Sequence, residues 1–135
     1  MKTSIACAVM IAGLAAVNAA RAEGLYVVRR LPGYQCIGVK IVGAQPMASF
    51  SILPPVHEAP SADSPRITGA QAAMLAVSPL RVVNGFVEVV LFNQRRGWVE
   101  QRLVEPWNSV SAPKSRCYAA VMSDGLWGFD YDMGP

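Results

Sequence analysis

The sequence predicts an all-β fold, and three observations carry that prediction. Turn-forming residues arrive about every eight to twelve positions from Glu23 onward, and the apolar residues between them come in short, β-branched runs. Asn84-Gly85 separates two such runs, and this pair is the strongest two-residue hairpin signal because both of its positions accept the positive φ the turn demands. The length, 135 residues, suits one domain with a modest core.

The first 22 residues read as a leader and not as fold. Lys2 supplies a basic start, Ile5 to Val17 an apolar run, and Ala20-Arg21-Ala22 a small-x-small cleavage pattern, so the mature chain is expected to begin at Glu23. The apolar run is shorter than the roughly 18 residues a membrane span needs, and Cys7 lies too close to the start for lipidation. A periplasmic or secreted protein with no span in the mature chain is the expectation. Removing Lys2 and Arg21 leaves ten basic against nine acidic side chains, a net charge of +1. So small a charge provides no electrostatic field for nucleic acid, and none is expected as a partner. Arg29-Arg30 and Arg95-Arg96 read as solvated strand ends and turn residues.

Between Glu58 and Trp107 the order of local signals is specific: Ala59-Pro60-Ser61, Asn84-Gly85-Phe86-Val87-Glu88-Val89, Arg96-Gly97-Trp98-Val99, and Leu103-Val104-Glu105-Pro106. This order resembles that of a bacterial SH3-like (SH3b) domain. The resemblance implies a small SH3-like barrel over residues 56–107; the residues themselves predict a strand and connection over 23–55 before it and a hairpin extension over 108–135 after it. Members of that family often accompany peptidases acting on cell-wall peptides.

Taken in order, Tyr34 to Val42 reads as the first strand and Gly43 to Pro55, with Pro46, Pro54 and Pro55, as an irregular connection. Val56 to Ala59 reads as a short opening strand ended by Pro60; alternation places His57 opposite Val56, toward solvent. Ser61 to Thr68 is expected to be a long loop. Gly69 to Val77 has helical propensity, yet the resemblance requires a strand over Ala73 to Val77, and context overrides propensity. Leu80 to Val83 and Phe86 to Phe92 flank the Asn84-Gly85 turn, with Phe86, Glu88, Val90 and Phe92 on one side and Val87, Val89 and Leu91 on the other. Asn93-Gln94-Arg95-Arg96-Gly97 lacks the Gly that usually follows the Asn at this turn of the family. Gly97-Trp98-Val99 starts the return strand; a short helical turn over Glu100 to Val104 precedes a last strand at Glu105 to Trp107. Val90, Asn93, Gly97 and Trp98 recur as Val121, Asp124, Gly128 and Phe129 at a constant offset of 31, which predicts a second hairpin of Tyr118 to Met122 with Trp127 to Tyr131 around Asp124-Gly125.

Export leaves two cysteines, Cys36 and Cys117, and an even number in an oxidising compartment reads as a disulfide. Catalysis by Ser or Cys needs a base, and His57 is the single histidine of the chain. No His or Cys pair has metal-ligand spacing, and the carboxylates Glu88, Glu100 and Glu105 are dispersed, so neither an enzyme nor a metal or other cofactor is expected. By resemblance the chain is a non-catalytic module that binds a cell-wall peptide or a periplasmic protein. Trp107, Trp98 and Phe86 are the candidate ring walls, because aromatic grooves hold extended peptides at small entropic cost, and Arg96 is the candidate for a peptide carboxylate. A small inhibitor or chaperone-like partner of an envelope enzyme, acting through Ser61 to Thr68, is the alternative. Mass spectrometry of the exported protein is expected to find Glu23 as its first residue; retention of residues 1–22 would contradict the leader.

Overall fold

A computed structural model describes residues 24–40, 53–109 and 111–135, so the expected leader, the expected cleavage site and most of the connection after the first expected strand lie outside the described residues. Within them the chain is all β. The strands are β1 (Val27–Arg30), β2 (Tyr34–Val39), β3 (Pro55–His57), β4 (Arg66–Gly69), β5 (Ala73–Val77), β6 (Val82–Val83), β7 (Phe86–Val90), β8 (Arg96–Glu100), β9 (Val104–Pro106), β10 (Arg116–Met122) and β11 (Trp127–Asp132), with one 3-10 turn at Gln101–Leu103. All pairings are antiparallel.

The main sheet runs β4-β3-β8-β7-β5-β2-β9, with β6 beside β7, and its end strands do not pair. Its inner face nevertheless closes around one core. Val56, Val87, Val89 and Val99 are buried there with Ile37, Val39, Met74 and Ala76, and Ile67 from one end strand and Val104 from the other pack on the same cluster. Curling of the sheet is thus fixed by side chains that share a core across its open edge.

A three-stranded sheet, β1-β10-β11, lies on the outer face of the main sheet. Leu31, Cys36, Leu75, Val90 and Ala119 form a second core between them, with Tyr34, Trp107, Cys117, Trp127 and Phe129 around it. The expected disulfide is present: Cys36 of β2 and Cys117 of β10 are bonded with Cα atoms 5.9 Å apart and 81 positions between them in sequence. Closing a loop of that size stabilises by up to about 4 to 5 kcal/mol through the unfolded state.

Two turns explain the hairpins. Asn84 and Gly85 have φ of 52° and 78°, as the primed turn requires. The offset-31 echo is a shared geometry. In the first hairpin Gln94 N–H donates to the Leu91 carbonyl, Leu91 N–H to the Arg95 carbonyl and Arg95 N–H to the Asn93 side chain; in the second, Gly125, Met122 and Leu126 donate to Met122, Leu126 and Asp124 in the same way. Strand register repeats as well, Val90 facing Arg96 as Val121 faces Trp127. At the one left-handed position the two differ: Gly125 has φ 83°, whereas Gln94 holds φ 69° without a glycine.

Several expectations need correction. β1 and β4 were not legible. The first strand ends at Val39 before Lys40, while Ile41 and Val42 lie outside the described residues, and β2 sits inside the main sheet between β5 and β9 rather than ahead of it. The last strand of this run, β9, pairs with β2. β4 occupies the end of the expected loop because Ile67 reaches the inner core. His57 is buried, not solvated, with 7% of its surface exposed. β3 is flanked by β4 and β8, and the outer face at His57 is filled by the Phe86 ring and the turn at Ser64.

Gly97 has a packing reason to be glycine. A Cβ there would strike Val56 and approach the His57 carbonyl to 3.2 Å. Gly97→Ala should therefore destabilise by about 1 to 3 kcal/mol, whereas Gln94→Gly should stabilise by up to about 1 kcal/mol by relieving the left-handed residue. Urea unfolding of both variants checks these opposite signs.

Candidate functional site

The outer face of the main sheet has two regions, set by strand alternation. Over β2, β5 and the Val90 end of β7 it is covered by the small sheet. Over β8, β3 and the Phe86 end of β7, the outward residues Phe86, Glu88, Arg96, Trp98 and His57 gather on one surface, because β7 and β8 pair Glu88 with Trp98 and β3 and β8 pair His57 with Trp98. Here side chains provide the cover.

Glu88 lies at the centre and is 3% exposed. It interrupts the apolar run Phe86–Val90, and an isolated carboxylate would not stay ionised and buried without partners. Two guanidinium groups supply them: Arg81 donates to one oxygen at 2.7 Å and Arg96 to the other at 2.5 Å. Arg96 also donates to the Tyr34 hydroxyl at 3.3 Å. Its hydrogen bond with Glu88 keeps the Arg96 guanidinium protonated beyond its already high range. Arg81 is placed by local structure, since its carbonyl accepts the Glu88 N–H at 2.9 Å across the start of the hairpin. From there its guanidinium lies 5.4 Å from the centroid of the Trp98 ring, within cation–π reach. Trp98 itself is 8% exposed, whereas the side chains of Arg81 and Arg96 are 62% and 48% exposed. The surface offered to solvent is therefore two guanidinium groups, one resting on an indole.

Next to this cluster the β3–β4 connection is tightly tied. The Ser64 hydroxyl accepts from Ala59 N–H at 2.9 Å, Ser64 N–H donates to the Ser61 carbonyl at 3.2 Å, and the Asn84 side chain donates to the Pro60 carbonyl at 3.1 Å. The His57 Nδ1 donates to the Ser64 carbonyl at 2.9 Å, and the ring meets Phe86 edge-on at 5.7 Å. This use of the ring is structural. Among the described residues no group of three or more His, Cys, Asp or Glu side chains is arranged to hold a metal ion.

The structure brings Phe86, Trp98 and Arg96 onto one surface and leaves Trp107 elsewhere. Trp107 follows β9, four strand spacings from β8 or about 19 Å along the sheet. It is half-buried against the second core and stacks on Tyr131 at 5.6 Å, in a series that continues through Phe129 to Phe92. Partial burial raises the Tyr131 phenol above its usual range. Trp107 is thus part of the seam between the two sheets. Sequence reasoning missed Arg81 and Glu88. A charge inside an otherwise apolar strand was the signal for Glu88, while Arg81, remote from the family-like motifs, carried none.

A concavity of about 330 Å³ lies away from this cluster, between Met74, Leu75, Val90, Leu91, Phe92 and Leu126, where the two matching hairpin turns meet and Trp127 N–H donates to the Phe92 carbonyl at 2.8 Å. No helix among the described residues is long and apolar enough to cross a membrane. No family model, no curated protein and no solved structure matches this chain.

Proposed function

We propose that the chain is a non-catalytic binding module of SH3-like type, periplasmic or secreted, whose ligand is a cell-envelope peptide or a periplasmic protein. The compartment is supported by the Cys36–Cys117 bridge, which is consistent with an oxidising environment. The SH3-like reading is supported by the Asn84-Gly85 turn, the β7–β8 hairpin and the 3-10 turn directly ahead of a short closing strand.

One observation carries the binding role: a buried carboxylate holds two exposed arginines in place beside the part of the same sheet face that the small sheet covers. Burying Glu88 offers little stability over an apolar residue of similar volume, because desolvation offsets the attraction. Its positional effect on Arg81 and Arg96 is what such an apolar residue would lack. Trp107 is reassigned from groove wall to inter-sheet packing.

The second reading, a small inhibitor or chaperone-like partner, is favoured by the rigid turn at Ala59–Ser64, whose exposed Ala62 and Asp63 project from a hydrogen-bonded base. A pull-down from periplasmic extract and from purified cell wall separates the two. With the arginine face in use, Arg81→Gln together with Arg96→Gln abolishes capture while Asp63→Ala has no effect. The opposite pattern moves the activity to the loop, and capture unaffected by either change would falsify both.

A further inference from the structure

We infer that the Arg81–Arg96 pair is a subsite for a single carboxylate on the ligand, resting on the reading of this face as the binding surface. Three features point to a carboxylate. Two cations share Glu88, so the cluster retains one uncompensated positive charge, which matches a monoanion. Each guanidinium has more N–H donors than its recorded bonds use, Arg81 being engaged through Nη1 and Arg96 through Nη1 and Nη2. Both groups are oriented before any ligand arrives: Arg81 by Glu88 and the Trp98 face, Arg96 by Glu88 and the Tyr34 hydroxyl. Planar forks held in this way suit a planar two-oxygen acceptor, and orientation in advance lowers the ordering cost of binding.

The other arginines nearby have different geometry. Arg95 is paired with Glu58, both about half exposed, and Arg102 with Glu100, so each is a one-to-one surface pair with no residual charge. The arrangement at Glu88 is distinct in placing two arginines on one buried anion. A ligand that ends or branches in a carboxylate is what this surface recognises.

Calorimetric titration of the purified protein at low salt tests the assignment with three probes: acetyl-Ala-Ala-Ala with a free C-terminal carboxylate, the same peptide as its C-terminal amide, and inorganic phosphate. The free acid should bind at least about tenfold more tightly than the amide, as expected for a charge-assisted contact, and more tightly than phosphate. Arg81→Gln and Arg96→Gln should each remove most of the preference, and Arg81→Lys and Arg96→Lys, which keep the charge and lose the fork, should weaken it less. A thermal melt establishes that each variant is folded. Equal affinity for acid and amide, tighter binding of phosphate, a preference that survives in the folded Gln variants, or no binding of either peptide overturns the carboxylate subsite. Capture of envelope material in the pull-down is a separate readout, so the binding surface can stand when the carboxylate subsite fails.

Discussion

The contact on which the rest of this structure depends is the junction at Cys36 and Cys117. Cys36 belongs to β2, an interior strand of the main sheet paired on both sides, and Cys117 belongs to the central strand of the small sheet. The bond therefore links an interior strand of one sheet to the central strand of the other, and Leu31, Leu75, Val90 and Ala119 belong to the core around it. An antiparallel sheet with one apolar face is stabilised by covering that face. Seated on the main sheet, the small sheet buries Cys117, Ala119, Val121, Trp127 and Phe129 against a prepared apolar face. The seating also decides which aromatics are structural: Tyr34 meets Trp127 edge-on at 4.8 Å, and Trp107 is stacked on Tyr131.

What remains of the main sheet's outer face is a consequence of that coverage. The small sheet reaches across β2 and β5 to Val90, and beyond it the alternation of β7 and β8 continues to point Glu88, Trp98 and Arg96 outward. A strand face left without a covering layer must either be polar or be capped by side chains. Here it is capped by Arg81 and Arg96, whose charged ends stay in water while Glu88 is enclosed. Removing one arginine would leave a buried charge less compensated; this ties the stability of the region to the residues that give it its surface chemistry.

Much of the fold was legible where local chemistry and global packing agree. Asn84-Gly85 and Asp124-Gly125 announce hairpins because Asn84, Gly85 and Gly125 hold positive φ, which few residue types adopt readily. The strand at Ala73–Val77 was legible against its own helical propensity only through the family-like pattern, and pairing with β2 and β7 explains why propensity lost. β1 was hidden because its residues Val28, Arg29 and Arg30 are exposed, so no alternation marks it; Arg30 is held by Asp130 and the Tyr118 ring, partners 100 and 88 positions away. His57 was misplaced for a related reason. Alternation gives the face of a strand but not what lies above it, and the Ser64 turn that encloses the ring is a tertiary fact. Trp98, Phe86 and Arg96 share one face of β7 and β8, as alternation along the strands implies. Trp107 was separated from them by a sheet order that places β2 between β5 and β9, which no local signal encodes.

The central claim is that one sheet face is divided between an inter-sheet seam, into which Trp107 and Trp127 pack, and a proposed binding surface of arginines over Trp98. The chain has 3 tryptophans, so their indole N–H resonances report the division directly. Titration of the isotopically labelled protein with soluble cell-wall peptide fragments should shift the Trp98 indole resonance and leave those of Trp107 and Trp127 in place. Movement of the Trp107 resonance with Trp98 unchanged would contradict the account and return the binding surface to the seam.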